Sequence, residues 1–474
     1  MPSVAIVGAG FAGVGMAITL LREGFEDLVV LEKGSTVGGV WRENRYPGAA
    51  VDVPSDLYSY SFERRYPFAK RFGEQEQLLA YVEHCARKYG VLPHLRAGCE
   101  VERATWEDGG WTLTLAGGDT LRADVVIPAC GQLSVPEPPA IPGVGTFDGP
   151  AFHTAQWPAD LDVAGKRVAV IGTGASAIQV VPAIAEAAAQ VDVYQRTPPW
   201  LLPKMDAEGL EERSRLVEYG GRLVNWLWFE ALIPGFTWAP RSMLLVRALC
   251  EAQLRWQVRD RAFRERVAPD TPVGCKRILV SSDWYPALLR DDVDLITDPI
   301  ESITPLGIRS GTERAYDAIV YATGFATSDP VAPMEIVGEG GRSLSDDAWA
   351  EGAEAYLGIS VPGFPNLFLM YGPNTNLGSG SIIYMLECQM RYIADAVRQL
   401  HDRDLAWIDV RETAHRAFSD EMQRRLKDSI WTRCESWYRG PSGRIVNNWP
   451  GLMTEYRART HRLRPSRYRA ARAS

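Results

Sequence analysis

The stretch VAIVGAGFAGVGMAITLLR, residues 4–22, decides the fold. Val4–Val7 reads as a short buried strand, the glycine loop GAGFAG follows, and Val14–Arg22 has the composition and spacing of a helix. A second apolar strand, Leu28–Leu31, closes the unit. Strand, glycine loop, helix and strand in that order begin a doubly wound dinucleotide-binding fold. Gly8, Gly10 and Gly13 fit the G-x-G-x-x-G spacing, where missing side chains allow a tight turn, close approach of a pyrophosphate and close helix packing. The phosphates would rest on amides at the helix start, where the dipole favours negative charge. Glu32, 19 residues after Gly13, stands at the end of the second strand, placed to accept hydrogen bonds from a ribose diol.

The pattern recurs once. Strand Arg167–Ile171, loop GTGASA, helix Ile178–Ala188 and strand Gln190–Tyr194 repeat the unit, with Gly172, Gly174, Ser176 and Ala177 in the loop. Its second strand ends in Gln195, Arg196 and Thr197 without an acid. An arginine and a hydroxyl suit a 2′-phosphate, so this unit is expected to take NADPH, while the first, with its acid, suits the ribose of FAD. Two nucleotide sites on one chain imply hydride transfer from nicotinamide to flavin. The expected organisation is α/β: residues 1–140 as the first part of an FAD domain, 141–320 as an NADPH domain carrying a helical insertion over about 203–270, and 321–474 as the second part of the FAD domain with C-terminal helices and a tail. Pro-rich Val135–Pro142 reads as the linker, and AIVYATGFAT, Ala318–Thr327, as the strand that returns the chain to the first unit.

A chain of 474 residues with 46% hydrophobic and 23% charged residues is long enough for several cores, and its net charge of −8 gives no reason to expect nucleic acid. The aromatic segment NWLWFEALIPGFTW, Asn225–Trp238, is interrupted by Glu230 and Pro234 and falls short of the roughly 18–20 apolar residues of a membrane span. A helical insertion packed over a substrate cavity is the favoured reading, ahead of membrane contact. Seven scattered cysteines with no C-x-x-C pair read as reduced, mostly buried thiols, with no metal site and a cytoplasmic setting. A strand beginning at Val4 leaves no room for a cleaved signal peptide. Seven arginines after Glu455 read as a frayed, solvated tail.

Disulfide reductases of this architecture carry a cysteine pair just after the first unit's second strand. Here the region reads GGVWRENRYPGAAVD, Gly38–Asp52, with no cysteine, which leaves molecular oxygen as the electron acceptor. This segment resembles the long fingerprint of type I Baeyer–Villiger monooxygenases, G-G-x-W followed by Y-P-G-x-x-x-D, at Gly38, Gly39, Trp41, Tyr46, Pro47, Gly48 and Asp52. The family's F-x-G-x-x-x-H-x-x-x-W signature matches at Phe147, Gly149, His153 and Trp157, and its ATG stretch at Ala322, Thr323 and Gly324. The resemblance implies a monooxygenase that uses FAD and NADPH to insert one oxygen atom of O2 beside a ketone carbonyl through a flavin 4a-peroxide, giving an ester or lactone. Gly39, Trp41, Thr323 and Gly324 would belong to the cofactor sites. It also singles out Cys275, Lys276 and Arg277, where the lysine would help hold the NADPH phosphate and the arginine would lie over the flavin. The chemistry needs such a cation, because an anionic oxidant in a dry site must be balanced by a fixed charge. Asp52 would orient Arg277, and the pair is assigned as catalytic; His153 is read as structural. The substrate would be a small-molecule ketone, and the aromatic insertion points to a bulky, apolar one. Still open are N-hydroxylation or S-oxidation on the same scaffold, and a redox-sensing flavoprotein without turnover.

Overall fold

The structure is a computed structural model that describes residues 1–208, 215–327, 329–440 and 442–472, with the backbone alone at 215–218. Strand β1 (Val4–Val7) is fully buried and leads through the glycine loop into helix α1 (Phe11–Arg22). Strand β2 (Leu28–Glu32) pairs parallel to β1 with Ala5 opposite Val29. Strands β3 (Leu95–Ala97) and β4 (Val125–Pro128) complete a parallel sheet in the order β3-β2-β1-β4. The unbroken apolar runs of β1 and β4 are what a parallel sheet covered on both faces requires.

The second sheet is also parallel. Strands β5 (Ala151–His153) and β6 (Arg167–Ile171) are followed by helix α2 (Ala177–Ile184) and strand β7 (Gln190–Tyr194). Helices α3 (Arg215–Phe236) and α4 (Met243–Gln257) form the excursion before strands β8 (Val293–Ile296) and β9 (Ala318–Tyr321), and the order is β8-β7-β6-β9-β5. Strand β9 therefore does not return the chain to the first unit. It lies between β6 and β5, with Tyr321 opposite both Ile171 and His153. An isolated strand pattern carries no information on which sheet will pair it. The chain rejoins the first unit beyond β9: Phe368 N–H donates to the Val126 carbonyl and Met370 N–H to the Pro128 carbonyl. Helix α5 (Ile382–Asp402), capped by the Ser381 hydroxyl, packs on α1.

Two other expectations give way. The arginine-rich end is not frayed: Tyr468–Arg472 forms an antiparallel ribbon with Leu405–Val410, and Tyr468 is buried. Arg469 pairs with Asp409 at 2.7 Å and Arg459 with Glu455 at 2.8 Å. Of the seven arginines, Arg459 and Arg469 are ion-paired among the described residues, and the Asp409 partner of Arg469 lies too far along the chain to show in a count of local charge; residues 473–474 lie outside the described residues. The cysteines are not all reduced either. Cys275 and Cys434 are joined in a disulfide, with Cα atoms 6.1 Å apart, while the other five are free thiols. The partners stand 159 residues apart in sequence, so no local spacing announces the bond.

Candidate functional site

A cavity of about 1730 Å³ runs between the two sheets and is lined by residues of both glycine loops. In the first loop the reason for glycine differs from position to position. A Cβ on Gly13 would lie 1.8 Å from the Gly8 carbonyl oxygen, so the helix can start there only without a side chain. Gly10, by contrast, would place its Cβ toward Gly39, 3.5 Å from that residue's Cα, where both backbones face the cavity. No side chain caps the start of α1 and its first turn holds no acid, so its free amides are open to an anion. Glu32 is buried at 4% exposure. Its Oε2 accepts from Ala9 N–H and its Oε1 from Gly34 N–H, both at 2.8 Å, and Arg42 pairs with it at 2.9 Å. Those bonds leave acceptor capacity on Oε2 for a ribose hydroxyl. This loop, acid and helix start fit a flavin dinucleotide. The contribution of Arg42 went unread in the sequence, although it sits within the fingerprint segment.

The second loop is built more openly. Gly172 is held by close approach, its Cβ position 2.4 Å from the Ala322 carbonyl oxygen. Nothing lies within 4 Å of a Cβ on Gly174, which lines the cavity and leaves room for a phosphate. Ser176 stands at the start of α2, again with no side-chain cap. Thr173 donates its hydroxyl to the Thr197 carbonyl at 2.8 Å, fixing the strand end that carries Arg196. Arg196 is exposed, lines the cavity and makes no ion pair among the described residues. Lys276 lies close enough that the Arg196 charge, second to the loss of water around the ammonium, holds its pKa below the ordinary lysine value. Two cations that make no ion pair among the described residues fit the 2′-phosphate of NADPH.

Arg277 and Asp52 come together from positions 225 residues apart: Nε donates to Oδ2 at 2.9 Å and Nη2 to Oδ1 at 2.8 Å, a bidentate pair at the cavity wall. The Asp52 charge, working against desolvation, raises the arginine's pKa further, so the guanidinium stays charged at any working pH. Around it stand three phenols that the sequence did not single out. Burial pushes Tyr58 and Tyr438 up to about 12 and raises Tyr371 as well, which keeps all three neutral. Asp52 is thus the one anion that directly balances Arg277 among these neighbours. Trp41 donates its indole N–H to the Tyr58 oxygen at 3.3 Å and lines the cavity beside it.

The remaining fingerprint residues join the units. Tyr46 donates to Gln179 Oε1 at 2.9 Å, and Gln179 Nε2 donates back to the Ala50 carbonyl at 2.8 Å. A Cβ on Gly48 would strike the Gln179 carbonyl oxygen at 2.6 Å, so glycine is needed for α2 to approach. Thr323 and Gly324 line the cavity but spend bonds on the linker: the Thr323 hydroxyl donates to the Glu137 carbonyl at 2.5 Å, and Glu137 N–H to the Gly324 carbonyl at 2.9 Å. His153 lies buried against Phe325, its Nδ1 accepts from Ala155 N–H, and burial lowers its pKa, as befits a neutral structural group. Trp157 packs on Phe152 at 5.2 Å. No described residue of 203–270 lines the cavity. The insertion instead buttresses the wall from behind, Phe236 stacking on Trp431 at 5.6 Å and lying against Gly378. The apolar wall comes from Leu377, Ile382, Ile383 and Leu386. Neither disulfide sulfur lines the cavity, although Cys275 directly precedes Lys276 and Cys434 precedes Glu435, which both do.

Comparison with known proteins agrees with this geometry. The pyridine nucleotide-disulphide oxidoreductase family model matches residues 5–209. A Baeyer-Villiger monooxygenase of Pseudomonas aeruginosa is 42% identical, the match covering 98% of this chain and 90% of that protein. One of Streptomyces coelicolor is also 42% identical, over 99% of this chain and 92% of its own length. Among solved structures, an oxidized steroid monooxygenase bound to NADP superposes with a TM-score of 0.88 at 30% identity, covering 100% of this chain and 99% of that one. A cyclohexanone monooxygenase from Rhodococcus sp. Phi1 bound to NADP+ gives 0.90 at 25% identity, with both chains covered completely.

Proposed function

The chain belongs to the Baeyer–Villiger monooxygenases, NADPH-dependent flavoproteins that insert one atom of O2 beside a ketone carbonyl, and from that premise we propose how its own residues divide the work. FAD, reduced by NADPH, supplies the oxygen-activating chemistry when bound. The first glycine loop and Glu32 hold the flavin nucleotide; Gly39 and Trp41 border it, and Thr323 and Gly324 tie the linker to its edge. Gly172, Gly174 and Ser176 receive the NADPH pyrophosphate, while Arg196, Lys276 and the Thr197 strand end recognise the 2′-phosphate. The domains divide near residues 140 and 320, and the disulfide-linked 434–440 segment closes one side of the cavity.

Arg277 carries the reaction-specific role. Its fixed positive charge, oriented by both oxygens of Asp52 and surrounded by neutral phenols, stabilises negative charge that develops beside the substrate carbonyl. That bidentate pair at the cavity wall is the observation that supports the reading. Tyr371, whose hydroxyl donates to Asn376 at 2.9 Å, ties the wall around the guanidinium to the 374–376 segment. The four aliphatic side chains from Leu377 to Leu386 suit an apolar ketone of some bulk. NADPH supply fits a cytoplasmic setting.

Arg277→Ala tests the assignment. NADPH should still bleach the flavin anaerobically, whereas ester formation from a ketone panel should fall at least about 10²–10³-fold. Ester formation at the wild-type rate would remove Arg277 from the chemistry.

A further inference from the structure

The helical excursion has an outer face that the fold leaves bare. Among the described residues, eighteen large apolar side chains are exposed, and ten of them fall between Tyr219 and Trp256. On α3, Tyr219, Leu223 and Leu227 recur every fourth residue, with Val224 and Trp228 beside them, which makes one stripe of the helix. On α4, Leu245, Leu249 and Trp256, spaced four and seven residues apart, likewise share one face, Trp256 being 76% exposed. The opposite faces are engaged. Trp226 meets Tyr384 with ring centroids 6.4 Å apart, Glu230 accepts from Met453 and Thr454 N–H groups at 2.9 and 3.0 Å, and Gln253 donates to the Ser281 carbonyl at 2.7 Å. The bare stripes are therefore not a loosely packed interior turned outward. A patch this concentrated marks an interaction surface.

Charge says what it meets. No exposed position from Tyr219 to Trp238 carries a charged side chain. From Arg241 to Val267, seven arginines stand against three acids, a net +4 in a chain of net −8, so the rest of the molecule carries −12. Arg247, Arg255 and Arg261 are paired to glutamates along the helices, whereas Arg241 and Arg259 make no ion pair among the described residues. A second copy of the chain joined by a two-fold axis would press this basic face against itself. An anionic lipid surface offers the opposite charge, and tryptophans beside arginines on an amphipathic helix are the composition that settles at a headgroup layer. The acidic remainder would be repelled from such a surface, which leaves this face to set the orientation.

We propose that the outer face of α3 and α4 seats the protein on an anionic bilayer, with Trp228, Trp238 and Trp256 entering the headgroup region and the arginines of α4 and its flanks meeting lipid phosphates. No helix of the described residues is long and apolar enough to span, so the attachment is peripheral and reversible. It stands whether or not the apolar-ketone reading does.

Flotation of the FAD-loaded holoenzyme through a density gradient decides it. The protein should rise with vesicles of equal parts phosphatidylcholine and phosphatidylglycerol, and about tenfold less with phosphatidylcholine alone or at high salt. Leu245→Glu combined with Trp256→Glu should abolish flotation while leaving flavin content and NADPH oxidation with a water-soluble ketone unchanged. Arg241→Glu combined with Arg259→Glu should erase the preference for the anionic vesicles. Failure of the wild type to float, or flotation of the Leu245/Trp256 variant with full flavin content, would overturn the proposal. So would light scattering that shows a dimer which that variant dissociates, because the face would then be an interface between copies.

Discussion

The two glycine loops have the same fold and spacing, yet one is closed around its acid and the other stands open. In the first, Glu32 is buried, bonded to two backbone amides and paired with Arg42, and Gly13 has no room for a Cβ. In the second, Gly174 faces empty space and Arg196 is exposed and makes no ion pair among the described residues. The difference teaches how one architecture serves two kinetic roles. A site whose acid is enclosed and held in place by backbone and arginine suits a resident group; one whose cations make no ion pair among the described residues suits a ligand that comes and goes.

Gly13→Ala should break the comparison hardest. With the Cβ driven into the Gly8 carbonyl oxygen, the cost is expected to reach or exceed about 3 kcal/mol, read as a lowered denaturation midpoint and loss of flavin absorbance from the purified protein. Gly174→Ala, at the second loop's counterpart of Gly10, where Ala177 already stands in the place of Gly13, meets nothing within 4 Å and should leave stability within about 1 kcal/mol while weakening NADPH binding. Equal destabilisation by both would mean that the loops are not different in kind.

Arg196→Ala should act next in size. Loss of one charge-assisted contact of about 1.5–3 kcal/mol raises the KM for NADPH roughly 10–100-fold. The KM for NADH should barely move, and a parallel rise in both would assign Arg196 to the common part of the nucleotide.

The smallest effect is one of pH. Burial and the Arg196 charge lower the pKa of Lys276, so its proton is lost at a lower pH than from an ordinary lysine. The free enzyme's preference for NADPH over NADH, measured as a ratio of kcat/KM values, should decline as pH rises through that lowered pKa. In Arg196→Ala the decline should move to higher pH, since the neighbouring positive charge is gone. A ratio flat to the ordinary lysine range would separate Lys276 from the phosphate.

The sequence made the two units legible because their signals are local. Val4–Val7, Arg167–Ile171 and Gln190–Tyr194 fold as strands over the very residues whose apolar runs predicted them, and loop spacing alone locates the glycines. Arg277 and Asp52 were readable only through resemblance, being 225 residues apart. Tyr58, Tyr371 and Tyr438 carry no motif, and a phenol near a guanidinium looks in sequence like any buried tyrosine. Gln179 illustrates a different limit: it sits on a plain helical face, and its bonds to Tyr46 and Ala50 exist only once two units are docked. The stripes on α3 and α4 were visible as apolar letters, but amphipathicity says nothing about which side a neighbour occupies. Strand β9 was found and given the wrong sheet, since pairing is decided by partners far along the chain.

The Cys275–Cys434 bond turns the intervening chain into a closed ring. A protease that nicks any exposed loop within that ring would produce no separate fragments until a reductant is added. Lys276 and Arg277 just inside the ring, and Glu435 to Arg439 just beyond its closing cysteine, would stay tethered through the cut. A nicked preparation would run as one species on a non-reducing gel and as two on a reducing one, and the bridge would keep the two sides of the cavity's rim together after the chain between them had been severed.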